Sequence, residues 1–282
     1  MALRDTDRAA CEELAGPPGT EFEAIRGFLP NESEMRMLAL EALFRSLRDI
    51  PLSVSDPAVG VAKIGWWQRE LAAAREEGSQ HPVVRALLAT GALAIVERGA
   101  FAAYLHALVA ALQEESIPDT GALHEELAQT AGAEATLLAS ESGADPQALV
   151  QAGCAARLLE LARTLGRPAG QFGWLPLDLV ARHGFRPADG PESSTRERLV
   201  EELARLASGW RAEVPLSGEA CDTEGAAFVA LRDRLVGRRL ERAGRRPRAL
   251  LEGSRRGAAG DVFAAWRAAR RLRPVMEANG GA

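Results

Sequence analysis

The chain has 282 residues, 47% of them hydrophobic, and a formal net charge of −5 from 34 basic and 39 acidic side chains. That composition can bury a core, and the mild acidity excludes a dedicated nucleic-acid binder. The three cysteines, Cys11, Cys154 and Cys221, are odd in number and too far apart for a disulfide framework or a CxxC zinc knuckle.

Ala, Leu, Glu and Arg dominate, and no alternating Val/Ile/Thr run suggests a strand, so the chain reads as all-α, a single helical domain. Residues 1–20 end in Gly16-Pro17-Pro18-Gly19 and read as a flexible N-terminal arm, with the helical domain spanning 21–275. The arm carries Asp5, Asp7, Glu12 and Glu13 and has no apolar core of a secretory signal. Asn31 with Glu34 has capping-box spacing and predicts a helix that stops near Pro51. Ser55-Asp56-Pro57 opens the next helix, whose Val61, Ile64, Trp67 and Leu71 fall on one face. Trp66 and Trp67 are adjacent, so they point about 100° apart, and one of them is expected in the core.

Val83 to Leu112 is the most apolar stretch. Glu97 and Arg98 split it into uncharged runs of 11 and 15 residues, short of the about 20 needed to span a bilayer. It reads as core helix, with Gly91 near a junction, in a cytoplasmic protein. Further helices are expected from Asp119-Thr120 to about Ser142, from Asp145-Pro146 to Leu165, and as a short piece over Leu175–His183. The last three start at Ser193-Ser194-Thr195, Glu224 and Gly260. Residues 232–273 hold 14 arginines against four acids, a local charge of +10, whereas residues 1–231 carry −14. Pairing with the acidic body or a solvated face would explain the basic end. So would an anionic partner, including peripheral contact with a membrane surface.

Sequence-visible chemistry is sparse. The four histidines, His81, His106, His124 and His183, lack HxxxH or HExxH spacing. Two acids four apart share one helix face and suit Mg²⁺. Of the pairs with that spacing, Glu115/Asp119 contains Pro118, Glu141/Asp145 contains Gly143, and Glu197/Glu201 sits in a polar run.

Other blocks carry a resemblance. Ser55-Asp56-Pro57, Ile64-Gly65-Trp66-Trp67-Gln68-Arg69-Glu70-Leu71, His81-Pro82, Thr130-Ala131-Gly132, Trp174-Leu175-Pro176-Leu177 and Ala181-Arg182-His183-Gly184 follow one another as in the squalene/phytoene synthases. The match runs from about residue 21 to 272. The resemblance implies the isoprenoid (prenyl) synthase fold with a central cavity. It implies head-to-head joining of two prenyl diphosphates, with two D-xxx-D motifs holding Mg²⁺. Here the first motif would fall at Asp49, but its partner four residues on is Ser53, beyond Pro51. The second falls in Leu161–Gly173, which holds no acid. Arg163 and Arg167 stand at or next to those positions, where they would repel Mg²⁺ yet could pair with phosphate.

In lacking both motifs the chain resembles a degenerate branch of the family, similar to the mitochondrial complex I assembly factor. The resemblance then implies a non-catalytic or altered member, with no cofactor, that binds an isoprenoid or other apolar ligand or a protein partner. Trp67, and Phe172 or Trp174 in the Gly-rich loop, are the candidates to line such a ligand site. The alternative is an active prenyl-diphosphate transferase using Mg²⁺ and an unusual diphosphate site at Asp49, Arg163 and Arg167. A third reading is an unrelated all-α binding protein.

Overall fold

The computed structural model describes residues 3–16, 19–114, 116–167, 172–217, 222–253 and 258–279; Cys221 and Glu115 lie outside them. Every described element is helical. The chain divides into two compact units, 1–113 and 114–282.

In the first unit, α1 (Asp5–Ala15) and α2 (Glu21–Arg26) precede α3 (Asn31–Arg48), the short α4 (Ile50–Ser53) and α5 (Pro57–Glu77). Then come α6 (Pro82–Thr90), α7 (Leu93–Val96) and α8 (Gly99–Gln113). Helix α3 is the spine: Met37, Leu38, Leu40, Leu43, Phe44 and Leu47 are all buried. Phe44 packs edge-on against Tyr104 of α8, with ring centres 5.5 Å apart. The apolar stretch expected as core helix with a junction near Gly91 is three helical pieces, and His106 lies on the exposed side of α8.

The first residues differ from the expected arm. Asp5–Ala15 is a helix packed on α3 and α6, with Cys11 fully buried. The reason is an ion pair across the sequence. Asp7 is 1% exposed and accepts from Arg85 of α6, whose Nε lies 3.0 Å away. That hydrogen bond holds the Asp7 carboxyl below its usual range, against the opposing effect of burial. The start of α3 also shifts by one residue. Pro30 is the N-cap and its carbonyl accepts from the Glu34 N–H, 2.7 Å away, so Asn31 lies inside the helix.

In the second unit, α9 (Thr120–Leu127) runs through a π-helical turn (Ala128–Gly132) into α10 (Ala133–Leu138). There follow α11 (Pro146–Thr164), α12 (Leu177–His183), α13 (Ser194–Glu213), α14 (Glu224–Arg245), α15 (Pro247–Leu251) and α16 (Ala258–Asn279). Helix starts are capped as short-range chemistry dictates. The side chains of Asp119, Asp145, Ser193 and Thr223 each accept a backbone N–H of the first turn. Two of the acids in the four-apart pairs, Asp119 and Asp145, are therefore caps.

Helix α11 forms the core of this unit, with Leu149, Cys154, Leu158 and Leu159 buried against α13, α14 and the π turn. Glycine permits the closest approach. A Cβ on Gly153 would strike the Ala131 carbonyl in the π turn. Because the obstacle is backbone, it cannot swing away. Gly153→Ala should therefore lower the unfolding free energy by about 2 kcal/mol, read from urea denaturation. An unchanged midpoint would mean the turn yields.

Candidate functional site

The two halves of the expected site lie in different units, and each is described by itself. In the first unit, Asp49 caps the C-terminus of α3 and faces Arg45, one turn back, at 3.6 Å. Further back on the same helix, Glu41 is buried and bonded to Arg48 at 2.5 Å. Ser53 ends α4, and its hydroxyl donates to the Ile50 carbonyl at 3.1 Å. The two carboxylates near the expected first motif are thus each engaged by an arginine of their own helix.

Trp67 is in the core, 7% exposed, while Trp66 is 40% exposed. Both rings meet His81, at 5.5 Å for Trp66 and 4.7 Å for Trp67. His81 opens α6 and its N–H donates to Ser79 Oγ. Burial holds its imidazole below the ordinary range, with Glu70 opposing and Arg85 assisting. The Trp-Trp and His-Pro blocks of the sequence therefore form one aromatic cluster.

In the second unit, Arg163 sits half-buried in the last turn of α11, and Arg167 is exposed just beyond it. The Arg167 carbonyl accepts from Arg196 of α13 at 2.8 Å. The Arg196 guanidinium also bonds the carbonyls of Leu165, Pro187 and Asp189. It lies 5.2 Å from the centre of the Phe172 ring and 5.7 Å from that of Phe185. Phe172 packs edge-on against Phe185. Trp174 is 6% exposed, and Phe172 packs on residues beyond the loop, Phe185 and Arg196.

The Leu-Pro-Leu block has a visible backbone role. The N–H groups of Leu177 and Asp178 donate to the Ile117 and Pro118 carbonyls, which fastens the start of α12 to the segment before α9. At its other end, His183 Nε2 lies 2.6 Å from Glu202 and Arg182 lies 2.5 Å from the same carboxylate. Burial pushes the Glu202 carboxyl up, but the His183 hydrogen bond and the Arg182 charge outweigh it and hold it low.

Sequence reasoning missed Arg196 and also Glu126. Glu126 lies in α9, four residues before Thr130, whose hydroxyl donates to its carbonyl. Burial and the charge of Glu114 push its carboxyl up to about 7, against the pull of Arg157. Arg157 in turn bonds Glu160 at 3.0 Å.

Mg²⁺ with a diphosphate requires several carboxylate oxygens in one place. Among the described residues no three His, Cys, Asp or Glu side chains gather that way. The side chains expected at or next to the two motif positions, Asp49 with Ser53 and Arg163 with Arg167, include a single carboxylate and so do not supply such a set.

A profile of the squalene/phytoene synthases matches residues 17–270. The chain belongs to the squalene/phytoene synthase family. Its fold is that of the family's solved structures. A dehydrosqualene synthase determined in complex with ligand is 17% identical with a TM-score of 0.66, over 95% of this chain and 97% of the other. Squalene synthase HpnC from Alicyclobacillus acidocaldarius is 14% identical with a TM-score of 0.50, over 95% of this chain and 94% of the other. No curated protein matches significantly. Family membership and the isoprenoid synthase fold thus stand as the ordered sequence blocks imply, and no described helix is long and apolar enough to cross a membrane.

Proposed function

We propose that this chain is an altered member of the family that binds an isoprenoid or similar apolar ligand without Mg²⁺-dependent release of diphosphate. The observation that carries the reading is the charge reversal at the second motif. Leu161–Gly173 has no Asp or Glu, and Arg163 and Arg167 stand at or next to the expected motif positions. The first motif keeps only Asp49, which Arg45 engages. An arginine cannot ligate Mg²⁺ and repels it. Affinity for a prenyl tail is a separate property, because burying each CH₂ contributes about 0.8 kcal/mol whether or not a metal is held. The missing acids support a likeness to the degenerate branch similar to the mitochondrial complex I assembly factor, and a protein partner is the other candidate for binding.

The second reading, an active prenyl-diphosphate transferase, rests on the same two arginines, since guanidinium groups pair with phosphate oxygens. One experiment separates them. Purified protein is incubated with farnesyl and geranylgeranyl diphosphate, with and without Mg²⁺, and released pyrophosphate is measured. The expected result is no release above a denatured control, together with a raised melting temperature in the presence of farnesol. Mg²⁺-dependent release would overturn the proposal in favour of the transferase. Absence of both release and stabilisation would overturn ligand binding itself.

A further inference from the structure

Helix α16 is assembled inside out. Its inward face is Asp261, Ala265, Ala268, Ala269 and Leu272, all buried. Asp261 is fastened to α14 by Arg239 at 3.0 Å and Arg242 at 2.8 Å. The bulky apolar side chains face the other way: Val262 is 47% exposed, Phe263 51% and Trp266 40%. Val262 and Phe263 lie four and three residues before Trp266, so each shares its face of the helix. Water is a poor environment for a Val-Phe-Trp stripe, and the small alanines would otherwise be the residues left outside.

The stripe is interleaved with positive charge. Arg267 lies over the Phe263 ring at 4.9 Å and Arg270 over the Trp266 ring at 5.1 Å. The two rings are 5.4 Å apart. Arg238 on α14 reaches to within 3.5 Å of where a Gly260 Cβ would sit. It belongs with Arg234 and Arg245 to an exposed stripe along α14. Residues 232–273 carry +10 by sequence.

We infer that this face docks on an anionic lipid bilayer surface. Phe263 and Trp266 enter the headgroup boundary, where an aromatic ring with a polar edge is at home. Arg267 and Arg270 run their stems along the rings and keep their heads at the phosphates. A second copy of the chain fits the stripe less well. A symmetric pair would bring these arginines against their own counterparts, whereas a bilayer rich in phosphatidylglycerol supplies the opposite charge. Neither part of this reading depends on the ligand proposed above.

The test is co-sedimentation of the full chain with vesicles of phosphatidylcholine alone and with phosphatidylglycerol added. The variants are Phe263→Ser/Trp266→Ser and Arg267→Glu/Arg270→Glu. All four positions are exposed, so both variants should keep the wild-type circular dichroism melt. Wild type should bind the anionic vesicles at least about tenfold more tightly than the neutral ones, and added salt should weaken that binding. Each double variant should lose about tenfold. Equal binding to both vesicles, no binding, or wild-type binding by both variants would overturn the inference. So would a concentration-dependent dimer that the Phe263→Ser/Trp266→Ser variant abolishes, since the stripe would then be a contact between copies.

Discussion

Replacing Arg196 with Met should cost the fold about 4 kcal/mol, seen as a loss of unfolding free energy in urea. The side chain is fully buried, yet its guanidinium bonds run to backbone carbonyls and not to a carboxylate. Instead one guanidinium serves four backbone carbonyls: those of Leu165, Arg167, Pro187 and Asp189. These belong to the end of α11 and to the loop before α13. Met would fill much of the volume but leave the buried Leu165 carbonyl and three part-buried acceptors without their donor. Each unsatisfied buried acceptor costs about 1–3 kcal/mol, and partial rearrangement of the loops recovers some of it. Burial pushes the guanidinium's pKa down, with the charges of Asp189 and Glu192 opposing, but the group stays charged at any pH the fold survives. Arg196→Lys should therefore keep the charge and still lose about 2 kcal/mol, because an ammonium cannot span the same four oxygens. Hydrogen exchange should quicken first in residues 165–167 and 187–189. A loss under 1 kcal/mol for Arg196→Met would show that the loops are held by the Phe172–Phe185 contact instead.

The same residue shows where sequence reasoning stops. Arg196 lies in Ser193-Ser194-Thr195-Arg196-Glu197-Arg198, which reads as a capped, solvated helix start. The cap is there: Ser193 accepts from the Arg196 N–H. That it also swallows a charge depends on carbonyls 29 and 31 residues away, which no local pattern encodes. Asp7 is a parallel case, since its burial depends on Arg85, 78 residues further on, and without that partner Asp5–Ala15 reads as a polar arm. By contrast, the Asp56-Pro57 and Asp145-Pro146 starts were legible because a cap and its N–H are two residues apart. The π turn leaves no periodicity signal, although Thr130-Ala131-Gly132 in the resemblance falls within it. For the site, the absence of Asp and Glu from Leu161–Gly173 and the presence of Arg163 and Arg167 were readable directly. What each arginine and carboxylate touches was not.

Glu126→Gln should stabilise the protein at pH 8 by about 2 kcal/mol and leave it unchanged near pH 4. An ordinary glutamate ionises near 4.5, whereas Glu126 does so at about 7 in the fold, chiefly through burial and then through the charge of Glu114. The folded chain therefore holds this proton across a window in which the unfolded chain has released it. With the native state binding more protons, stability falls as pH rises from about 4.5 to about 7 and is level above that. Carrying a carboxyl over that interval corresponds to roughly 3 kcal/mol. Glu126 is only half-buried, so solvent screening brings the expected cost nearer 2 kcal/mol. Gln removes the ionisation and keeps the shape, so the difference between the two proteins should open across the same window. Glu114→Gln should give a smaller gain of the same sign, and Arg157→Ala a loss at pH 8, because Arg157 is the charge that favours the carboxylate. Urea denaturation at pH 4, 6 and 8 measures all three. A Glu126→Gln difference that does not vary with pH would mean that the carboxylate next to the π turn titrates as an ordinary surface acid.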